Sequence, residues 1–167
     1  MFASIVTKAV QDNGVGVCIK HFAGNEKEGG KTTGDTQVTE RALREIYLEP
    51  FRIVTRYEMP WSFMSAYNKL NGVYCCQNYS LVHNILREEW GFDGFVTADW
   101  NGGTDVVQAV MAHNNMHPRT VGGQANNIIE DTNRVYNAIL EGLISREHIK
   151  RYVAEILNIA LKTQNFI

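Results

Sequence analysis

Apolar residues along this chain recur with two periods that take turns. Phe2, Ile5, Val6, Ala9 and Val10 fall at helical spacing, and Asn13-Gly14 supplies a stop. Residues 16–22 then read as a strand, followed by a polar, glycine-bearing loop over 24–34. Thr39 is the predicted N-cap of a helix that turns Ala42, Leu43, Ile46, Tyr47, Phe51 and Val54 inward, with Pro50 kinking or restarting it. A second strand is predicted over 61–68 and a turn at Asn71-Gly72. Ser80 is the predicted cap of a helix carrying Leu81, Val82, Ile85, Leu86 and Trp90. Residues 91–94 break that helix, and a third strand runs into Asp99 and Trp100. A short helix fits 105–111, and an irregular fourth strand end fits 113–118. The next helix presents Ile128, Ile129, Val135, Tyr136, Ile139 and Leu140 and closes at Gly142. The last, capped by Ser145, presents Ile149, Tyr152, Val153, Ile156, Leu157 and Ala160.

Strict alternation of strand and helix argues for an α/β fold with a parallel sheet and crossover helices. No repeat, low-complexity tract or linker divides the chain, so residues 1–167 read as a single domain. With 44% hydrophobic and 20% charged residues, the chain has the balance of an ordinary globular core. A formal charge of −2, with sixteen Lys and Arg spread along the sequence, argues against nucleic acid or an anionic membrane as partner. Cys18, Cys75 and Cys76 make an odd set without metal-ligand or disulfide-framework spacing, which points to buried or reduced thiols. There is no charged leader before an apolar segment and no membrane-length apolar run, so a cytoplasmic setting is the expectation.

The chemistry sits at the predicted strand ends: Lys20-His21, Tyr67-Asn68, Asp99-Trp100 and Asn114-Asn115. In a parallel sheet these ends share one rim, where α/β folds place reacting groups. The run Phe95-Val96-Thr97-Ala98 is explained by burial, but the carboxylate of Asp99 is not, because a charge there costs free energy unless it is paired or used. A cation, an imidazole, a phenol, a carboxylate and an indole on one rim suit a carbohydrate. Charged partners take the hydroxyls, an aromatic face takes the ring, and a carboxylate can attack an anomeric carbon. Lys20 near Asp99 is expected to keep the carboxylate ionised, and Tyr67 to fix its rotamer. Each residue also has a plainer reading: a paired structural Asp99, a snorkelling Lys20, a core His21, and packing roles for Met64, Tyr67 and Trp100. Glu26 and Glu28 read as solvated loop charges, and Arg41, Arg44 and Glu45 as an ion-paired helix face.

The stretches Lys20-His21-Phe22-Ala23-Gly24-Asn25, Glu40-Arg41-Ala42-Leu43-Arg44-Glu45-Ile46-Tyr47-Leu48 with Pro50-Phe51, Met64-Ser65-Ala66-Tyr67-Asn68-Lys69-Leu70-Asn71-Gly72, Leu86-Arg87-Glu88-Glu89-Trp90-Gly91-Phe92-Asp93-Gly94-Phe95-Val96 and Ala98-Asp99-Trp100 resemble glycoside hydrolase family 3, the β-glucosidase family. The resemblance implies a (β/α)8 barrel accompanied by a sandwich domain, a retaining mechanism and no cofactor or metal. It implies Asp99 as nucleophile, Lys20 and His21 as holders of sugar hydroxyls, Tyr67 beside the nucleophile, and Met64 and Trp100 as subsite walls. The chain departs from the family pattern at Ala112-His113-Asn114-Asn115-Met116-His117-Pro118, where the family reads Ala-Gly-Asn-Asp before Met-Pro. Asn115 thus stands for an acidic residue. The loop over 24–34 holds no His, which disfavours the N-acetylglucosaminidase branch.

A full barrel takes about 250 residues. The expected fold is therefore a partial TIM barrel, about four parallel strands resembling the second half of the family barrel, with no residue that matches the general acid/base. The expected function is hydrolysis of a terminal β-linked sugar, weak or absent in this chain alone. The expected partners are a carbohydrate and either the rest of the enzyme or a second copy. The alternatives are a non-catalytic carbohydrate-binding or assembly module derived from such an enzyme, and an unrelated half-barrel enzyme.

Overall fold

The computed structural model describes residues 1–27, 29–30, 32–100, 102–118 and 125–163; Glu28 lies outside them. The elements run α1 (Phe2–Gln11), β1 (Cys18–Phe22), β2 (Asp35–Thr36), α2 (Glu40–Ala42), α3 (Glu49–Tyr57), β3 (Ser62–Ser65), β4 (Lys69–Leu70), β5 (Val73–Tyr74), β6 (Phe95–Ala98), α4 (Val106–Met111), α5 (Ala125–Leu140) and α6 (Arg146–Lys162). Two further helical segments, Leu43–Tyr47 and Ser80–Glu89, are wound wider than an α-helix. Their bonds reach five residues back, as in Leu48 N–H to Leu43 at 2.8 Å and Trp90 N–H to Ile85 at 3.0 Å.

The main sheet is parallel in the order β1-β3-β6, with Ile19, Phe63 and Val96 in one row and Lys20, Met64 and Thr97 in the next. The expected fourth strand shrinks to a single parallel bridge between Met116 and Thr97, held by Ala98 N–H to Met116 at 2.7 Å and Met116 N–H to Val96 at 3.1 Å. A second small sheet, β2-β4-β5, was not expected. Its β4–β5 hairpin turns at Asn71 and Gly72, with φ of 50° and 90°, the left-handed pair that a two-residue hairpin requires.

Phe22, Phe63, Phe92, Leu48, Leu81 and Leu86 fill the space between the sheet and the helices that follow β1 and β3. The rings meet edge-on, Phe22 on Phe51 at 5.1 Å and Phe63 on Phe92 at 5.0 Å.

Several helix expectations change in detail. Thr39 and Ser145 are N-caps, accepting from the N–H groups of Ala42 and His148. The cap of the Ser80–Glu89 helix is Asn78 rather than Ser80, its Oδ1 accepting from Leu81 N–H at 3.0 Å. The wide turn at Leu43–Tyr47 advances the helical phase, so Ile46 faces solvent and Leu48 enters the core. In α1 the buried residues are Ser4 and Thr7, while Phe2 and Ile5 are exposed. In α6, Val153 and Leu157 are exposed, and the buried residue is Glu155.

Candidate functional site

Phe22, Ser65 and Ala98 form one row across the C-terminal edge of the sheet, so the residues after them emerge together. Asp99 follows β6 and is 5% exposed. Its N–H donates to the Ser65 carbonyl at 3.0 Å, which fixes the backbone. Its Oδ1 accepts from Trp100 N–H at 2.9 Å. Its Oδ2 is buried and accepts no hydrogen bond, although His21 Nε2 stands 3.3 Å away, within ion-pair range but not aligned. A buried carboxylate normally has both oxygens satisfied, so one oxygen left open at a strand mouth makes Asp99 a candidate reacting group.

His21 sits where the β1–β3 register slips between Lys20 and Phe22, and its ring is a third exposed. The peptide bonds Lys20–His21 and Phe22–Ala23 are cis. The structure thus differs from the expectation that Lys20 would be the cation at Asp99. Lys20 is exposed, shares a row with Met64 and Thr97 at the same end of the sheet, and makes no ion pair with the carboxylate. Met64 and Tyr67 are half-buried, on and just beyond β3, and Trp100 is exposed beside Asp99. Three of the four predicted strand ends therefore share the rim.

The fourth does not. Asn114 and Asn115 are buried beneath the sheet edge. Asn114 donates to Ser65 Oγ at 3.1 Å and to the Cys76 carbonyl at 3.3 Å. Asn115 accepts from Val96 N–H and from Arg87, both at 2.8 Å, and donates to Glu155 at 2.7 Å. The neutral Asn115 thus bridges Arg87 to a carboxylate supplied by α6, and the Arg87–Glu155 pair closes at 3.1 Å. Arg41, Arg44 and Glu45 form the expected surface pairs, with Arg44 also reaching Glu89 at 2.7 Å.

Supporting residues that the sequence did not reveal hold the turn after Asp99. Gly102 N–H donates to the Asp99 carbonyl at 2.9 Å, and the Gly102 carbonyl accepts from Cys76 Sγ at 3.3 Å and from His117 Nε2. Gly103 adopts φ of 71°, and a Cβ there would stand 2.5 Å from Cys76 Sγ, so the turn tolerates no side chain at that point. Only the motif Ala98-Asp99-Trp100 marks this turn in the sequence. Among the described residues no three His, Cys, Asp or Glu are placed to hold a metal ion. The apolar cavity of about 670 Å³ between α4, α5 and α6, lined by Val110, Val135, Ile139 and Tyr152, holds neither Asp99 nor His21. Among the described residues no helix is long and apolar enough to cross a membrane.

The family model described as the glycosyl hydrolase family 3 N terminal domain matches residues 1–159. The thermostable beta-glucosidase B of Acetivibrio thermocellus is 41% identical over 152 residues, which is 91% of this chain and 19% of that protein. An exo-alpha-(1->6)-L-arabinopyranosidase of Bifidobacterium longum is 35% identical over 95% of this chain and 20% of its own length. Among solved structures, beta-glucosidase 3B from Thermotoga neapolitana in complex with glucose superimposes with a TM-score of 0.88 at 44% identity, over 98% of this chain and 23% of that one. This chain thus spans about a fifth of the length of the relatives it matches.

Proposed function

We propose a function from one premise: the chain belongs to glycosyl hydrolase family 3. It carries the nucleophile side of a retaining β-glycosidase that acts on a terminal pyranoside. The observation that carries this reading is the open Oδ2 of buried Asp99 beside His21 at the mouth of the parallel sheet. Oδ2 attacks the anomeric carbon, and the bond to the leaving group breaks with its electron pair going to the aglycone oxygen. A glycosyl ester on Asp99 remains, which water later hydrolyses. Lys20 and His21 hold sugar hydroxyls, Tyr67 orients the carboxylate, and Met64 and Trp100 form apolar walls. The named substrates of the relatives, a β-glucoside and an L-arabinopyranoside, support a pyranoside and leave the sugar open.

The three-stranded layer corresponds to part of a (β/α)8 barrel, its second half. Other polypeptide of the enzyme supplies the remaining strands, a sandwich domain and the general acid. The exposed stripes Ile129, Tyr136 and Leu140 on α5 and Val153, Leu157 and Leu161 on α6 support this, since such faces are normally covered. The carboxylate of Asp99 needs no acid when the leaving group is activated. The test is therefore a 2-deoxy-2-fluoro glucoside with a dinitrophenolate leaving group, followed by peptide mass spectrometry. A glycosyl adduct on Asp99, absent in Asp99→Asn, is the expected result. Glucose binding without an adduct would instead support the carbohydrate-binding module.

A further inference from the structure

His113 occupies a position that no other functional argument explains. It adopts φ of 60°, a left-handed conformation that disfavours a side chain, and it is 4% exposed. Its ring lies between two others, stacked on His83 at 5.0 Å and tilted against His148 at 3.9 Å. The three imidazoles come from three elements: the Ser80–Glu89 helix, the turn after α4, and α6. His148 Nε2 donates to the Val110 carbonyl at 2.7 Å, which ties α6 to α4 as well.

We propose that the His83–His113–His148 cluster is an acid-operated clasp that holds α6 against the sheet when His83 and His148 are neutral and releases it when they are protonated.

The carboxylates that face the cluster are already engaged by guanidinium groups. From the Ser80–Glu89 helix, Glu88 lies 3.8 Å from His83, and Arg87 lies 3.1 Å from Glu155. From α6, Glu155 lies 3.7 Å from His113, and Arg151 reaches Glu155 at 3.3 Å and Glu88 at 3.4 Å. The Tyr79 ring lies tilted against His83 at 4.4 Å, and Tyr152, pushed up to about 12 by burial, stays uncharged. Asp93, beyond the helix end, acts on Arg87, whose own value burial lowers to about 10. Glu155 thus already pairs with Arg87 and Arg151, and Glu88 with Arg151, while Asp93 acts on Arg87 from the helix end. A proton added to His83 or His148 is a charge taken into a partly buried site whose nearby carboxylates are already engaged by guanidinium groups.

Burial and the neighbouring His113 hold His83 and His148 below the ordinary imidazole range. A released or unfolded helix therefore binds protons more readily than the docked one. Docking is strongest above the ordinary imidazole value near pH 6.5 and weakens as pH falls below it. Glu155 is raised by burial but lowered on balance by His113, Arg87 and Asn115, so its contribution is lost at lower pH, below the usual carboxylate value near 4.5. Release of α6 removes Glu155 from Asn115, the residue that accepts from Val96 N–H in the strand leading to Asp99.

The clasp does not depend on glycosidase activity, so its test reads structure alone. Hydrogen exchange of the α6 and β3 peptides of the whole chain is followed from pH 7.5 to 5.0 and corrected for intrinsic rates. Protection of α6 should fall about tenfold or more while β3 stays protected. His113→Gly, which suits the left-handed backbone, should flatten that fall, as should His148→Gln, whose amide can still donate to Val110. Flat protection of α6 in the parent chain, or an unchanged fall in both variants, would overturn the proposal.

Discussion

Phe63 and Ile144 are both buried, at 0% and 2% exposure, yet in very different company. Phe63 sits among Phe22, Phe51 and Phe92, under a sheet whose every strand feeds the same layer. Ile144, between α5 and α6, belongs to a small cluster with Val110 of α4 and Ala138 of α5; Val135, Ile139 and Ile149 pack against it, while Ile129, Leu140 and Leu161 face outward. The first region has its burial completed by its own sequence. The second buries one stripe and leaves another without a partner. What joins them is polar: Arg87 from the first, Glu155 from the second and Asn115 between. Apolar burial thus defines each region, while a charged network sets how one sits on the other.

The largest expected effect separates the two cores. Phe63→Ala should destabilise by about 3–5 kcal/mol, because aromatic neighbours on three sides, Phe92 edge-on and Phe22 and Phe51 tilted, cannot all collapse into the space. Ile144→Ala should cost about 2 kcal/mol, since helices already partly exposed can relax around it. Urea unfolding midpoints check both, and equal losses would erase the distinction between a completed and a partial core.

The joint itself comes next. Arg87→Met leaves Glu155 buried without its closest cation and should cost about 3 kcal/mol. The double variant Arg87→Met with Glu155→Met should recover most of that loss, because an apolar pair of similar size no longer needs the charges satisfied. If the double variant is as unstable as the single one, the Asn115 and His113 contacts carry the joint instead.

This contrast also explains what could be read from the residues. The β1-β3-β6 layer was legible because buried parallel strands leave unbroken apolar runs, and Asp99 stood out as the charge that such a run does not explain. The helix caps at Thr39 and Ser145 were legible because capping is local. The sheet β2-β4-β5 was not, since two-residue strands carry no periodicity. Nor was the phase of the Leu43–Tyr47 turn, where one extra residue rotates Ile46 outward. At the site, the motif placed Lys20 and His21 together, but a register slip between Lys20 and Phe22 decides which of them meets Asp99, and no composition rule encodes that slip. Asn114 and Asn115 read as rim groups in the sequence because residues 113–118 fit an irregular fourth strand end. Their side chains turn down to satisfy Arg87 and Ser65, a demand visible only once α6 brings Glu155 alongside.

The smallest expected effect tests the comparison most finely. Thr39 Oγ1 accepts from Ala42 N–H at 3.2 Å, and Ser145 Oγ accepts from His148 N–H at 3.1 Å. The two bonds are chemically alike, so Thr39→Ala and Ser145→Ala should each cost about 1 kcal/mol where they act. They should act in different places. The helix that Thr39 starts runs into Leu43 and Leu48 of the aromatic layer, so its loss belongs to global unfolding and should lower the urea midpoint. Ser145 starts a helix that buries one charged residue and leans on the imidazole cluster, so its loss should appear first as faster exchange in α6, with the midpoint nearly unchanged. A midpoint shift of the same size in both variants would mean that α6 unfolds with the sheet as one unit, and the division between the two regions would lie elsewhere.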